Sequence, residues 1–213
     1  MAKREERSTA IPWLGEAGER GEALEGLYVA GDAGRGGAVI APPHPLYGGS
    51  MESPVVTELA WACTKAGLAS LRFNWRGVGG STGAPSGALA DGAGDFAAAL
   101  LQLGRGEPGP LVAAGYSFGA AAALLAAADQ PRVTHLVLVA PPPALLAAER
   151  LGAGERQVLL LAGRHDAIAP PAALEAIAKE RPAVRFVLLE DADHFFAAGL
   201  AALGNEVTRW LGR

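Results

Sequence analysis

Residues 110–129 read PLVAAGYSFGAAAALLAAAD, and this stretch combines the features of a strand, a turn and a helix. The apolar run PLVAAGY precedes Ser117, and an Ala/Leu-rich segment typical of a helix follows it. Gly115 and Gly119 flank the serine, where a very tight turn would leave no room for bulkier side chains. The pattern therefore predicts a buried strand, a sharp turn and a buried helix, with Ser117 at the turn.

The rest of the chain repeats this alternation of apolar runs with longer helical segments. Several apolar runs are continuous, which is typical of strands covered on both faces. The predicted strands are GAVIAP (37–42), ASLRFNW (69–75), PLVAAGY (110–116), VTHLVLVAP (133–141), QVLLLAG (157–163) and AVRFVLLE (183–190). The helical candidates lie near residues 54–66, 94–103, 119–129, 171–180 and 197–211. This repetition predicts an α/β fold, a mostly parallel sheet with helices on both faces.

The chain length predicts a single domain. Its 213 residues fall below the roughly 250 residues at which single cores stop growing. The segment EALEGLYVA (22–30) predicts a strand that pairs antiparallel at the beginning of the sheet. Residues 1–20 are polar and weakly patterned, so we expect a partly loose N-terminal segment before one domain over residues 21–213.

The residues after the predicted strands suggest a nucleophilic site. A serine hydroxyl is weak unless a base takes its proton and a third group orients that base. In the strand–turn–helix type of serine site, the chain order is serine, acid, histidine. Asp166 follows the strand at 157–163, and His194 follows the strand at 183–190. We therefore expect Ser117 to be the nucleophile, His194 the base and Asp166 the residue that orients the base.

Other residues are weaker candidates for the same roles. Asp191 and Asp193 could also hold His194, although they are local to it in sequence and expected to face solvent. His135 lies inside a predicted strand, and His165 precedes rather than follows the acid. The order of the motifs therefore favours Asp166 and His194.

Acyl transfer from such a serine also needs N–H donors for the negatively charged oxygen of the intermediate. The first predicted donor is the N–H of Phe118, the residue after the nucleophile. The second is expected from the loop HPLYGG (44–49), which follows the strand at 37–42. Because Pro45 has no N–H, Leu46 is the predicted second donor, although the same residues could form a plain turn.

The order of these motifs resembles that of a family of small bacterial α/β hydrolases. The resemblance rests on HPLYGG (44–49), LRFNWRGVGGSTG (71–83), GYSFG (115–119), VLVAPP (137–142) and DADHFF (191–196). It covers nearly the whole chain after residue 20 and extends distantly to dienelactone hydrolases and prolyl-peptidase-like enzymes. Family members commonly carry His-Pro-His-Pro before Leu-Tyr-Gly-Gly, whereas residues 42–45 here read Pro-Pro-His-Pro. The resemblance implies an α/β-hydrolase fold and the triad of Ser117, Asp166 and His194.

The connection after the strand at 133–141 predicts that no lid domain covers the site. Only residues 142–156 separate this strand from the next. A compact domain needs about 40 residues or more, so this segment can form only a loop or a short helical turn. We therefore expect an open cleft, walled by the loops around Leu46–Tyr47, Phe118 and Phe195–Phe196.

Composition excludes several classes of partner. The formal net charge is −4 and no basic stripe is present, so no nucleic-acid partner is expected. Cys63 is the one cysteine, so no internal disulfide can form, and a reducing cytoplasm is the expected compartment. Residues 109–128 carry no charge, but their Ala-rich composition and the Gly-x-Ser-x-Gly favour a buried strand and helix over a membrane span.

No cofactor and no metal is expected. The segment GRGEPG (104–109) matches G-x-G-x-x-G, but it follows a helix and leads into a strand, the reverse of a dinucleotide-binding turn. No Gly-Lys-Ser/Thr loop for phosphate is present. Asp191, Asp193 and His194 could suggest a metal, yet no other cluster of ligands supports one.

Together these patterns predict a serine hydrolase, with esterase activity of class EC 3.1 favoured. The expected substrate is a small-molecule ester, thioester or amide, cleaved through an acyl-enzyme on Ser117. An acyltransferase and a non-catalytic binding protein on the same fold are the alternatives. A binding protein would be expected to lose a member of the Ser, Asp and His set, whereas this chain keeps all three.

Overall fold

The computed structural model describes residues 4–13 and 22–212, which form one sheet flanked by helices. The strands are β1 (Glu6–Pro12), β2 (Ala23–Val29), β3 (Gly37–Ala41), β4 (Ala69–Phe73), β5 (Leu111–Tyr116), β6 (Val133–Val139), β7 (Gln157–Gly163) and β8 (Val184–Leu189). The helices are α1 (Pro54–Lys65), α2 (Leu89–Gly106), α3 (Phe118–Ala127), α4 (Pro171–Lys179) and α5 (Leu200–Leu211). Across the sheet, the strand order is β1-β2-β4-β3-β5-β6-β7-β8.

The sheet is mostly parallel, as the alternation of strands and helices predicts. Strand β2 pairs antiparallel with β1 and β4, and every pairing from β4 across to β8 is parallel. The carboxyl ends of β3, β5, β6, β7 and β8 therefore lie at one edge of the sheet. In open α/β sheets this is the edge where ligands bind.

The central strands are buried along their whole length. Every residue of β3, β4 and β5 is buried, which explains the continuous apolar sequences of β3 and β5. The Ala-rich helix α3 is also buried on nearly all sides, because it packs against β5, β6 and the neighbouring helix α2. Within the described residues, no helix is both long enough and apolar enough to cross a membrane.

The helices cover both faces of the sheet as two packed pairs. Helix α1 packs against α5, and α2 packs against α3. Both α1 and α2 also contact β3 and β4 but do not pack against each other, so the two pairs lie on opposite faces. Helix α4 packs on β7 and β8 near the end of the sheet.

The N-terminal segment differs from the sequence expectation. Residues 6–12, expected to be loose, form the edge strand β1, which pairs in register with β2 from Glu6 with Val29 to Pro12 with Ala23. Ile11 is the one buried residue of this strand, so its sequence carries little hydrophobic signal. The backbone ladder with β2 and an ion pair between Glu6 and Arg72, at 2.9 Å, hold it in place. The rest of the segment lies outside the described residues, apart from residues 4, 5 and 13.

The loop between β4 and α2 is fixed by a buried ion pair. Arg76 Nε donates to Asp95 Oδ1 at 2.9 Å, and Arg76 Nη1 lies 3.2 Å from Asp91 Oδ1. The guanidinium also stacks over the ring of Trp13, 4.3 Å from its centroid. The side chain of Asp95 is 1% exposed. Burial raises the pKa of its carboxyl, while the hydrogen bonds and charge of Arg76 act in the opposite direction.

We expect Arg76→Ala to lower the free energy of unfolding by about 3–5 kcal/mol, because it leaves the buried Asp95 carboxylate without its positively charged partner. Arg105→Ala, at an exposed position of α2, serves as the control and should change stability by no more than about 0.5 kcal/mol. Urea unfolding followed by circular dichroism measures both. Equal stability of the two variants would show that the ion pair does not fix this loop.

Candidate active site

Ser117 lies at a turn so tight that its backbone adopts φ 55° and ψ −121°. Strand β5 ends at the residue before it, and α3 begins at the residue after it. A Cβ atom on Gly115 would lie 2.3 Å from the carbonyl oxygen of Gly119, and one on Gly119 would lie 2.3 Å from the carbonyl oxygen of Pro42. Close backbone contact therefore requires both glycines of the motif. A non-glycine residue at positive φ is a strained arrangement that recurs at functional sites.

The hydroxyl of Ser117 faces a histidine instead of capping its own helix. Ser117 is the N-cap residue of α3, yet its side chain makes no capping hydrogen bond. Its Oγ lies 3.1 Å from His194 Nε2, within hydrogen-bond distance. Both residues are buried, with exposures of 7% and 6%. The structure thus brings together the two residues that the sequence assigns as nucleophile and base.

Asp166 completes the chain of hydrogen bonds. Its Oδ2 lies 2.8 Å from His194 Nδ1. Its Oδ1 accepts hydrogen bonds from the backbone N–H groups of Ile168 at 2.8 Å and Ala169 at 2.6 Å. Both oxygens of this buried carboxylate therefore have partners, which fixes the group and leaves one oxygen directed at the imidazole.

The neighbouring acids, considered above as alternatives, have other positions. Asp193 Oδ1 accepts from the backbone N–H groups of Phe195 at 3.1 Å and Ala197 at 3.3 Å, so it caps the turn that carries His194. Asp191 is exposed on the same loop. The acid placed against the imidazole is the distant one, Asp166.

The two N–H groups expected to bind a negatively charged oxygen differ in their surroundings. Phe118 is the first residue of α3, so its N–H has no acceptor within the helix. The N–H of Leu46 donates to Nδ1 of His44 at 3.2 Å, so the imidazole caps the short 3-10 turn over Pro45–Tyr47. An oxygen that binds to Leu46 would have to replace this imidazole as the acceptor.

The ring of His44 packs between Tyr47 of its own loop and Phe118 of α3. It lies 4.8 Å from the ring of Phe118, edge to face, and 4.6 Å from the ring of Tyr47. Burial lowers the pKa of the His44 imidazole, because it removes water from the protonated form. A neutral ring fits its observed role, because only an unprotonated Nδ1 can accept the Leu46 N–H.

The described residues contain no cluster of three or more His, Cys, Asp or Glu side chains that could hold a metal ion. The G-x-G-x-x-G match at 104–109 covers the end of α2 and the turn into β5. Its backbone N–H groups do not lie at the start of a helix, where a pyrophosphate would be bound.

Sequence reasoning missed two features of the site. The hydroxyl of Tyr116 donates to the backbone carbonyl oxygen of His194 at 2.6 Å, across 78 positions of the chain. Nothing in the sequence signals this partner, although the tyrosine directly precedes the nucleophile. The second feature is a pair of exposed apolar side chains, Leu145 and Ile168, on the loops after β6 and β7. They add to the exposed Leu46, Tyr47 and Phe195, which lie in loops that the sequence predicted as walls of the site.

Fold and site together define a class of protein. The first strands of the sheet pair antiparallel and the others pair parallel. The residue after the central strand β5 is a serine with a strained backbone, and it lies within hydrogen-bond distance of a histidine from the loop after β8. This is the architecture of an α/β hydrolase.

Solved structures with the same fold include two relatives of similar length. An α/β serine hydrolase homologue from Coxiella burnetii is 30% identical, covers 96% of this chain and 97% of its own, and superposes with a TM-score of 0.83. An α/β serine hydrolase without a lid from Xanthomonas campestris is 27% identical, covers 97% of this chain and 96% of its own, and has a TM-score of 0.81.

Sequence comparisons agree with the structural ones. A family model described as serine aminopeptidase, S33, matches residues 46–146. An uncharacterized protein of Rickettsia prowazekii (strain Madrid E) is 35% identical over 107 residues, which span 49% of this chain and 44% of that protein. On the full-length similarity to the Coxiella burnetii structure, the chain belongs to the α/β-hydrolase family, a family of hydrolases.

Proposed function

We propose that this protein is a serine hydrolase, an esterase of class EC 3.1 that cleaves small acyl esters through an acyl-enzyme on Ser117. One observation carries the proposal: the unbroken sequence of contacts from Asp166 through both ring nitrogens of His194 to Ser117 Oγ. Each contact has the geometry of a hydrogen bond, and the three groups are buried. This arrangement of nucleophile, base and orienting acid activates a serine hydroxyl.

In the proposed reaction, Ser117 Oγ attacks the acyl carbon while His194 Nε2 takes the hydroxyl proton. The tetrahedral intermediate collapses when the C–O bond to the leaving group breaks, and His194 returns the proton to the departing alkoxide. Water then attacks the acyl-enzyme, giving one proton to His194 and its oxygen to the acyl carbon. The ester bond to Ser117 breaks, the acid leaves, and the serine hydroxyl is restored with that proton.

Asp166 and two backbone N–H groups support this sequence in the proposal. The carboxylate holds the Nδ1–H tautomer of His194 and stabilises the imidazolium formed at each proton transfer. The Phe118 N–H, at the N-terminus of α3, would bind the oxyanion together with the Leu46 N–H. The Leu46 N–H would then give up its hydrogen bond to the His44 imidazole and donate to the oxyanion, which is the stronger acceptor because it is charged.

The surroundings of the site favour a small substrate and water as the acyl acceptor. Between β6 and β7, the chain forms two single 3-10 turns, Pro143–Leu145 and Ala148–Arg150, and no inserted domain. Tyr47 is 87% exposed and Phe195 is 70% exposed. Water reaches such an open site freely, which favours hydrolysis over transfer to a second acceptor.

The chemistry of the single cysteine supports the proposed location in the cytoplasm. Cys63 is buried in α1, and burial raises the pKa of its thiol to about 12. A chain with one protonated, buried thiol has no structural need for an oxidising compartment.

Replacing the nucleophile should abolish covalent labelling without unfolding the protein. We expect Ser117→Ala to lose reaction with a fluorophosphonate probe and to retain at most about 10⁻³ of the wild-type esterase rate. Ser8→Ala, an exposed serine of β1, is the control and should label fully. Intact-protein mass spectrometry and hydrolysis of p-nitrophenyl butyrate measure the two effects. Wild-type activity in purified Ser117→Ala would assign the nucleophile to another residue.

The choice of acid can be tested with two isosteric substitutions. Asp166→Asn should lower kcat by roughly 10³–10⁴-fold, because an amide cannot stabilise the imidazolium or hold the same tautomer. Asp193→Asn keeps an oxygen that can accept the Phe195 N–H, so its kcat should stay within a few fold of wild type. A large loss in Asp193→Asn, with little loss in Asp166→Asn, would reverse the assignment.

The open site predicts a preference for short acyl chains. Each methylene contributes about 0.8 kcal/mol only when it is fully buried, and the exposed side chains around Ser117 cannot enclose a long chain. We expect kcat/KM to be similar or lower for octanoyl and palmitoyl than for acetyl and butyryl nitrophenyl esters, with no increase above the critical micelle concentration. A tenfold rise from butyryl to palmitoyl, or a jump in rate with micelles, would show a deep or gated cleft.

A further inference from the structure

We propose that Tyr116 is a positioning residue whose hydroxyl holds the backbone of His194 and thereby keeps the imidazole in line between Asp166 and Ser117. The inference deepens the proposed function and rests on it, because it concerns the base of that reaction. The hydroxyl of Tyr116 binds the backbone of His194 and not the ring nitrogens that move the proton.

Tyr116 is fixed by the centre of the sheet. It is the last residue of β5, which pairs with β3 on one side and β6 on the other, and it lies opposite Val139 of β6. Its side chain is buried, with 5% exposure. A shift of its hydroxyl would require a shift of the central strand or a strained rotamer.

His194, in contrast, lies in irregular backbone. It belongs to the loop 190–199 between β8 and α5. Tyr116 Oη donates to the His194 carbonyl oxygen at 2.6 Å, its ring lies 5.6 Å from the imidazole, and it meets the ring of Phe196 edge to face at 6.0 Å. His194 is thus held at three points: one at each ring nitrogen, and one at its carbonyl through the tyrosine.

The hydroxyl is suited to be a permanent donor. Burial, together with the nearby carboxylates of Asp166 and Asp193, raises the pKa of Tyr116 above its ordinary value. The group therefore stays protonated wherever the imidazole can act as a base. Its proton is directed at a backbone carbonyl, so the tyrosine does not compete with Ser117 for the imidazole.

Loss of this tether should affect the chemical step rather than substrate binding. Proton transfer from Ser117 requires the imidazole to stay within hydrogen-bond reach, and misplacement of a catalytic group by about 1 Å can cost on the order of 10²-fold in rate. The ring contacts and the two side-chain hydrogen bonds of His194 remain in a phenylalanine variant. We therefore expect kcat to fall about tenfold, which is the change in rate that corresponds to the net free energy of one hydrogen bond.

Two matched tyrosine substitutions separate positioning from general stability. Tyr116→Phe removes the hydroxyl that holds His194. Tyr28→Phe removes a tyrosine hydroxyl on β2 that also makes a hydrogen bond, since Tyr28 Oη donates to Glu107 Oε1 at 2.7 Å, and it serves as the control. With p-nitrophenyl butyrate, we expect Tyr116→Phe to lower kcat about tenfold, with KM within about twofold of wild type, and Tyr28→Phe to leave both unchanged. Urea unfolding verifies that both variants are folded.

Hydrogen exchange followed by mass spectrometry provides a readout that does not depend on turnover. Exchange in residues 190–199 should increase in Tyr116→Phe and match wild type in Tyr28→Phe. Wild-type kcat in folded Tyr116→Phe, or equal losses of kcat in both variants, would overturn the positioning role. If wild-type Ser117 failed to react with the fluorophosphonate probe, the proposed function itself would fall. The exchange comparison would then test only whether the Tyr116 hydroxyl holds the His194 backbone. Unchanged exchange in Tyr116→Phe would refute that contact's role.

Discussion

Close backbone contact at the turn after β5 constrains the whole site. The backbone at Gly119 lies against the Pro42 carbonyl, and the backbone at Gly115 lies against the Gly119 carbonyl, so neither position has room for a side chain. This contact locks β5, α3 and the loop after β3 into a single arrangement. Ser117 is thereby held above the sheet edge in a strained conformation, with its hydroxyl directed at His194 and the N-terminus of α3 beside it.

The parallel topology brings the other groups to that point. Asp166 follows β7 and His194 follows β8, so residues far apart in the chain meet at one edge. Within this edge the polar network is rigid, because both oxygens of Asp166 and both ring nitrogens of His194 have partners. Apolar side chains on the outer loops, among them Tyr47 and Phe195, are open to solvent. A fixed reaction centre beneath variable, exposed loops allows one fold to serve many substrates.

Much of the fold is determined by local sequence. Continuous apolar runs predict β3 to β8 with ends that differ from the structure by at most two residues. Helix α2 begins at Leu89, ahead of the predicted 94–103, because its first turn has few large apolar residues. Strand β1 was not predicted, because it too has few buried apolar residues. It is an edge strand with little buried surface. Its hydrogen bonds to β2 and the ion pair between Glu6 and Arg72 depend on residues that are distant in sequence.

The candidate site divides in the same way. The sequence by itself determined the turn at Ser117, through its two glycines, and the order in which Asp166 and His194 follow their strands. It favoured Asp166 over the nearby Asp191 and Asp193 as the partner of the imidazole, and in the tertiary structure Asp166 lies there. Tertiary structure also decided that the Leu46 N–H bonds to His44 and that Tyr116 holds the His194 carbonyl. The physical reason is that glycine clearance and strand periodicity act between neighbours in the chain, whereas a hydrogen-bond partner is chosen by the geometry of packed elements.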